Sequence, residues 1–247
     1  MKLINSASYC EPSLVVLGRI VMIFLLLSCS SCGQEEIDSS QVAFVRIVNL
    51  VSPGEGNLKI KVDGEESWPA GYRLGQRTGG VGMKAGTRKF VFTKEGCLSA
   101  ERDIDLVGDK TITLAIYGDP VLDEDTEEPI LNAAGEVANW QIKVAQLSQW
   151  DPGEGYHLTF VSFCSGESLD LEVKPSQSDA FFVMAKYLET TKRKFSSEPS
   201  RVAVMYEGEV LNRVKGREEG NYVVMIYEGE EGKEALSFYD NKFLLAH

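Results

Sequence analysis

Six carboxylates crowd between positions 119 and 128: Asp119, Asp123, Glu124, Asp125, Glu127 and Glu128. Clustered acids on a loop are the raw material of a calcium site, since the ion takes about six to eight oxygen ligands. Asp119, Asp123 and Asp125 are the candidate ligands, although their spacing matches no calcium-loop pattern and solvated loop charge is the plainer reading. The same run offers the paired carboxylates of a glycan-acting hydrolase. That chemistry needs a deep pocket holding two acids at a defined separation, and so charged and continuous a loop is a poor place to raise a carboxyl pKa. Imidazole chemistry has little to work with, because His157 and the final residue His247 are the only histidines. His157 reads as a strand-edge residue rather than a zinc ligand or a triad base. Gly79-Gly80-Val81-Gly82 lacks the following lysine and helix of a phosphate loop, and a hairpin or bulge is expected there. Trp68 and Tyr72 are the candidate aromatic binding residues, with Trp68-Pro69 in a loop; Trp140 alternates with core positions and is expected inside.

The strongest chemical signal lies near the N-terminus. Arg19 precedes an eight-residue apolar run, Ile20 to Leu27, far shorter than the roughly 20 residues of a spanning helix but the right length for the centre of an export signal. The run ends in Leu26-Leu27-Ser28-Cys29, which resembles the lipobox of bacterial lipoproteins. The resemblance implies cleavage after Ser28 and acylation of Cys29 with fatty chains such as palmitate. Each buried methylene contributes roughly 0.8 kcal/mol, and one chain holds only marginally, so two or three chains make a lasting anchor. Cys32 is the alternative, but Cys29-Ser30-Ser31 before it lacks the apolar residue three positions upstream. An uncleaved anchor and an initiation point nearer Met22 are the other readings of this segment. By this resemblance the protein sits in the bacterial envelope, at the outer membrane, held by acyl chains on Cys29.

Composition narrows the field. The formal charge of −12 and pI near 4.8 argue against nucleic acid, whose binding relies on Lys and Arg neutralising phosphates. No cofactor is expected. Of the five cysteines, only Cys97 and Cys164 lie in the globular part. They are either a bridge between two halves or two small buried thiols.

The elements that must position these residues all have a period of two. Gly33 to Gln41 is polar and reads as a flexible spacer; ordered structure should begin near Val42. Leu58, Ile60 and Val62 alternate with Lys59, Lys61 and Asp63; Ile104 and Leu106 with Asp103 and Asp105. Ile112, Leu114 and Ile116 alternate with Thr111, Thr113 and Ala115, and Trp140, Ile142 and Val144 with Gln141, Lys143 and Ala145. Each of these reads as a strand with one wet face. Turn formers separate them, among them Ser52-Pro53-Gly54, Asp63-Gly64 and Gly108-Asp109. No convincing helical stripe occurs after residue 41, so the fold class is all-β.

The halves echo each other. Phe44 to Glu55 leading to Leu58–Val62 has its counterpart in Leu158 to Glu167 leading to Leu169–Val173. Arg88–Phe92 matches Ser200–Val204, Thr111–Tyr117 matches Asn221–Tyr227, and Trp140–Leu147 matches Ala235–Tyr239. About six or seven strands per half is the number an immunoglobulin-like sandwich requires. The expected organisation is a signal peptide over 1–28, a lipidated cysteine and tether over 29–41, and two tandem β-sandwich domains over 42–150 and 156–247. Trp150-Asp151-Pro152-Gly153-Glu154-Gly155 forms the junction, short enough to leave the sandwiches in contact.

The first half resembles the domain of unknown function 4397, a family of immunoglobulin-like modules in bacterial exported proteins. The residues that carry this are Val45-Arg46-Ile47-Val48-Asn49, Ser52-Pro53-Gly54, Leu58 to Gly64, Lys84-Ala85-Gly86-Thr87-Arg88-Lys89-Phe90 and the strand Thr111 to Tyr117. The second half keeps the spacing without the Ser-Pro, Asp-Gly and Ala-Gly-Thr landmarks. The resemblance implies architecture and an envelope context, with no catalytic residues to carry over. The expectation for function is a lipid-anchored, non-enzymatic envelope protein whose loops bind a protein or glycan partner, or which serves envelope assembly; the alternative is the hydrolase using Asp119 to Glu128.

Overall fold

Alternation along the chain becomes burial in the fold. In the strand Glu55–Val62, Leu58 and Ile60 are fully buried while Lys59 and Lys61 face outward. The structure, a computed structural model, describes residues 38–195, 201–216 and 218–240; the acylation site expected at Cys29 lies outside them. A single 3-10 turn, Ser39–Gln41, leads into the first strand. The first half comprises β1 (Val42–Leu50), β2 (Glu55–Val62), β3 (Glu65–Glu66), β4 (Val81–Lys84), β5 (Gly86–Glu95), β6 (Cys97–Leu98), β7 (Ala100–Leu106), β8 (Thr111–Pro120) and β9 (Trp140–Ser148). The second comprises β10 (Tyr156–Ser162), β11 (Leu169–Pro175), β12 (Phe181–Ala185), β13 (Thr191–Phe195), β14 (Val202–Tyr206), β15 (Glu209–Val214), β16 (Gly220–Glu228) and β17 (Lys233–Tyr239). The fold is an all-β sandwich architecture, as the alternation requires. The first half carries nine strands and the second eight, more than the six or seven expected: β3 and β6 are too short to alternate, and β12 is apolar on both faces.

The topology repeats strand for strand. The first half forms sheets ordered β3-β2-β5-β7 and β4-β1-β8-β9, the latter extended by β6. The second forms β12-β11-β14-β15 and β13-β10-β16-β17. In both, the first strand runs parallel to the penultimate one: Phe44 opposes Thr111 in β1 and β8, and Leu158 opposes Tyr222 in β10 and β16. Every strand equivalence drawn from the sequence repeat holds in this topology. Asp63-Gly64 and Glu207-Gly208 each place two successive residues at positive φ (51° and 89°, 49° and 88°), the geometry of the two-residue hairpin turn whose twist matches the strands it joins.

Three apolar layers separate the four sheets. Phe90, Phe92, Leu58 and Ile60 fill the first half, with Ile47, Leu114 and Ile116 opposite. Phe160, Leu171, Val204 and Val224 belong to the equivalent layer of the second. A third layer joins the halves, with Val48, Leu50, Ala115 and Tyr117 facing Val161, Phe163, Val223, Met225 and Phe238. Ser39–His247 is accordingly one compact unit. This third layer corrects one expectation. Thr111, Thr113 and Ala115 do not line a wet face but are buried, because β8 is covered on both sides. Parallel pairs covered on both faces read as near-continuous apolar runs, which is how β8 and β16 look. Trp140, expected inside, is only half-buried at the start of β9. Cys97 and Cys164 are both free thiols, so no bridge staples the halves.

Candidate functional site

Where the halves meet, their strand ends frame a cleft of about 630 Å³. One wall is the β7–β8 turn and the end of β9; the other is the start of β16 and the end of β17; Trp150-Asp151-Pro152-Gly153 closes it. The chain enters at this same end, because Gln41 and Val42 carbonyls accept hydrogen bonds from the amides of Ala85 and Asp109. The cleft is rich in acceptors. Asp105, Asp109, Asp151 and Glu219 line it and are exposed, and their carboxyl oxygens are hydrogen-bond acceptors. Gln146, Gln149 and Asn221 add amides, and Lys110 is the one lysine among its walls.

Its floor is held by buried polar contacts. Arg46, on β1 between Val45 and Ile47, donates from Nη1 to Asp240 Oδ1 at 3.0 Å and to Thr113 Oγ1 at 3.3 Å. Its guanidinium carbon lies 4.5 Å from the centroid of the Phe238 ring, within cation–π range. Asp240 is fixed in turn by its amide, which donates to the Asn221 carbonyl at 2.8 Å. Thr159 Oγ1 donates to Asn221 Oδ1, also at 2.8 Å. Trp150 is packed edge-to-face with His157 at 5.4 Å and lies under Lys192 Nζ at 4.0 Å. A smaller cavity of about 180 Å³, also lined by Trp150, Asn221 and Asp240, extends between the halves. Rotamers locked this way give a preorganised wall, which reduces the ordering cost of binding.

The residues singled out in the sequence do not assemble into one site. Trp68 is 53 % exposed beside an open groove of about 450 Å³ that also includes Asn57, Arg73 and Gln76. Tyr72 is only 7 % exposed and packs in the first-half core, where its backbone pairs with Leu58; it cannot offer a ring face to a ligand. Asp119 is taken up at the end of β8, where its Oδ1 accepts from Tyr187 Oη at 3.1 Å and Ser165 Oγ at 3.3 Å. Asp123 turns its Oδ1 onto the amides of Asp125 and Thr126, both at 3.0 Å. Those amides, the Thr126 one first, hold its pKa below the ordinary carboxylate value, the wrong direction for a general acid. Among the described residues no group of three or more His, Cys, Asp or Glu side chains is placed to hold a metal ion. Of the calcium candidates, Asp119 and Asp123 are taken up by local hydrogen bonds, and Asp125 gives its amide to Asp123. His157 is not at a sheet edge: β10 lies between β13 and β16, and the residue is buried with no hydrogen-bond partner for Nδ1 among the described residues. Gly82 lies in β4, paired in regular register with Phe44 of β1 across a long connection, so it sits in neither the hairpin nor the bulge expected of that glycine run.

A scan against protein-family models found no match to this chain, and a search of the curated proteins found none either. Asp240, Asn221 and Trp150 of the cleft, and Arg46 that holds Asp240, belong to no motif of binding or catalytic chemistry in the sequence. The one available signal was Arg46 itself, a cation inside Val42-Ala43-Phe44-Val45-Arg46-Ile47-Val48, which had to find a buried partner.

Proposed function

We propose that this chain is a lipid-anchored, non-enzymatic protein of the bacterial cell envelope, held at the outer membrane through Cys29, whose paired sandwiches present the junction cleft to a glycan. The observation that carries the reading is the cleft itself: an acceptor-rich, aromatic-walled space on a rigid four-sheet frame. Carboxylates and amides match ligand hydroxyl and ammonium donors, and Trp150 supplies an apolar wall. Ligand sites on rigid scaffolds are built from such connecting segments. The acids that a hydrolase would use are dispersed: Asp119 is tied to Tyr187 and Ser165, and Asp123 to its own turn. The envelope assignment is supported by the lipobox resemblance of Leu26-Leu27-Ser28-Cys29 and by the turn landmarks of the first half.

Two measurements test this. Labelled fatty acid should enter the wild-type chain and Cys32→Ala, but not Cys29→Ala; labelling retained in Cys29→Ala and lost in Cys32→Ala would overturn the anchor assignment. Calorimetric titration of the full chain with glucosamine oligosaccharides, which offer both hydroxyl and ammonium donors, should give saturable heat. Trp150→Ala and Gln146→Ala should each weaken binding about tenfold, or 1.4 kcal/mol. Absence of heat with the wild type would remove the glycan reading.

A further inference from the structure

The opposite end of the shared layer holds a second cavity, of about 520 Å³, where β1, β8, β10 and β16 all terminate. Its walls are mainly apolar, with Leu50 ending β1, Pro53 after it, Trp140 on β9, Phe163 after β10 and Val137 from the loop between β8 and β9; Ser52, Ser165 and Glu228 are the polar members. The volume falls in the range of about 300–1,000 Å³ typical of sites that take a compact ligand group. Three contacts make the walls stiff. The Pro53 ring packs so closely on β8 that a Cβ on Gly118 would come within 2.6 Å of it. Lys94 Nζ donates to the carbonyls of Val51 and Ser52 at 2.7 and 3.3 Å, fixing the β1–β2 turn from inside. Tyr187 and Ser165 of the second half both donate to Asp119 Oδ1 at the end of β8, so the floor spans both halves.

The loop that provides Val137 runs from Val121 to Asn139 and folds on itself. Ile130 donates to the Val121 carbonyl, Ala138 to that of Ile130, and Val121 to that of Asn139. It contains six acids (Asp123, Glu124, Asp125, Glu127, Glu128 and Glu136) and not one lysine or arginine. All six are exposed, and none takes part in an ion pair among the described residues. Glu228, on the far wall, is by contrast paired with Lys233 at 3.0 Å. The loop also exposes two large apolar side chains, Leu122 at 47 % and Leu131 at 56 %. An apolar cavity beside an unneutralised acidic strap selects for a ligand that combines an apolar group with flanking positive charge. An anionic lipid would be repelled by the strap, and a neutral acyl chain would leave its charge unused.

We propose that this pocket docks a basic peptide segment of a partner protein, which inserts one aromatic side chain between Trp140, Phe163 and Pro53 while its neighbouring lysines or arginines face the carboxylates of the β8–β9 loop. The site lies at the end of the sandwiches opposite Gln41 and Val42, where the described chain enters the fold. It is independent of the glycan cleft, and neither reading requires the other.

Fluorescence anisotropy of a labelled Gly-Lys-Lys-Phe-Lys-Lys-Gly peptide, titrated with the full chain in detergent, tests the proposal. Saturable binding is expected, weakened at least tenfold by 0.5 M NaCl, since exposed charges are screened within ~3–5 Å at such ionic strength. Replacing the peptide's Phe by Ser should also weaken it at least tenfold. On the protein, Val137→Arg should weaken binding at least tenfold by placing a cation in the wall. The loop variant with Glu124→Lys and Asp125→Lys, whose side chains are exposed and which leaves the Asp123 carboxylate in its turn, should do the same. Unchanged melting curves for the variants establish that the losses are local. Equal affinity for the Phe and Ser peptides would reduce the effect to surface charge and overturn the proposal, as would undiminished binding to Val137→Arg. Displacement of the peptide by dodecyl maltoside, with equal dodecyl binding to the loop variant, would identify the pocket as an acyl site and overturn it as well.

Discussion

Arg46 carries the largest single electrostatic commitment in the described fold. Its side chain is 3 % exposed and that of Asp240 7 %, so both charges have left water. Desolvation of such a pair consumes most of its Coulombic gain, but removing one partner leaves a buried charge uncompensated and costs about 3–5 kcal/mol. Asp240→Ala should therefore lower stability by about that amount in urea denaturation, whereas the double replacement Arg46→Met with Asp240→Leu should recover most of the loss. An Asp240→Ala effect below about 1 kcal/mol would show that the pair behaves as if solvated. The thiols make a second prediction at this scale. Burial first, and then Glu228, pushes Cys164 up to about 12, and burial also raises half-buried Cys97. A thiol held neutral in the fold but free to ionise near 9 when unfolded stabilises the native state fully below pH 9. That contribution is lost as pH climbs from 9 towards 12, and Tyr187 and Tyr227, both raised chiefly by burial, act in the same sense. The urea midpoint should fall steadily above pH 9, and native-state alkylation at pH 8 should modify Cys97 well before Cys164 by peptide mass spectrometry.

Among the elements, the equivalent edge strands of the two halves are treated differently. β3 is only Glu65–Glu66, short and acidic, which blunts its sheet against pairing with another chain. Its counterpart β12 is five residues long and exposes Phe182 at 70 % and Met184 at 48 %. Such an edge is a template for association. Replacing Phe182 and Met184 by Lys should leave the unfolding free energy within about 0.5 kcal/mol, as for exposed positions generally, while reducing concentration-dependent light scattering. Scattering unchanged by the substitutions would place any self-association elsewhere. The same strand shows why the sequence was only partly legible. β2 and β11 announced themselves because Leu58-Lys59-Ile60-Lys61-Val62 and Leu169-Asp170-Leu171-Glu172-Val173 put charges on the wet face. Phe181-Phe182-Val183-Met184-Ala185 has apolar residues on both faces and therefore no alternation to read. β8 failed in the opposite way, since Thr111 and Thr113 look like wet positions but fit beneath a second sheet. The acidic loop stood out by composition alone, yet its self-satisfied Asp123 turn and the placing of Val137 in one cavity wall with Pro120 and Trp140 depend on contacts that no spacing encodes. The junction cleft was hidden further still: Trp150-Asp151-Pro152-Gly153 reads as a connector until β9, β16 and β17 surround it.

For the molecule as a whole, the decisive feature is the middle apolar layer. Val48, Leu50, Ala115 and Tyr117 on one side, and Val161, Phe163, Met225 and Phe238 on the other, are buried only because the halves cover each other. At about 25 cal/mol per Å² of apolar surface, separating the halves would expose side chains whose burial contributes several kcal/mol, in addition to freeing the Arg46–Asp240 pair. Neither half then has reason to unfold while the other stays native. Met225→Ala probes this directly, because Met225 is fully buried in the shared layer and belongs to neither of the separate cores. Truncation should cost about 2–5 kcal/mol and shift a single unfolding transition as a whole. Tryptophan fluorescence reports on Trp68 and Trp140 in the first half and on Trp150 at the junction, and cysteine accessibility reports on Cys97 and Cys164 in either half. Both probes should trace one coincident curve in the wild type and in Met225→Ala. Two separated transitions, with Cys164 exposed at a different urea concentration from Cys97, would mean that each sandwich stands on its own core and that the shared layer holds together two independently stable domains.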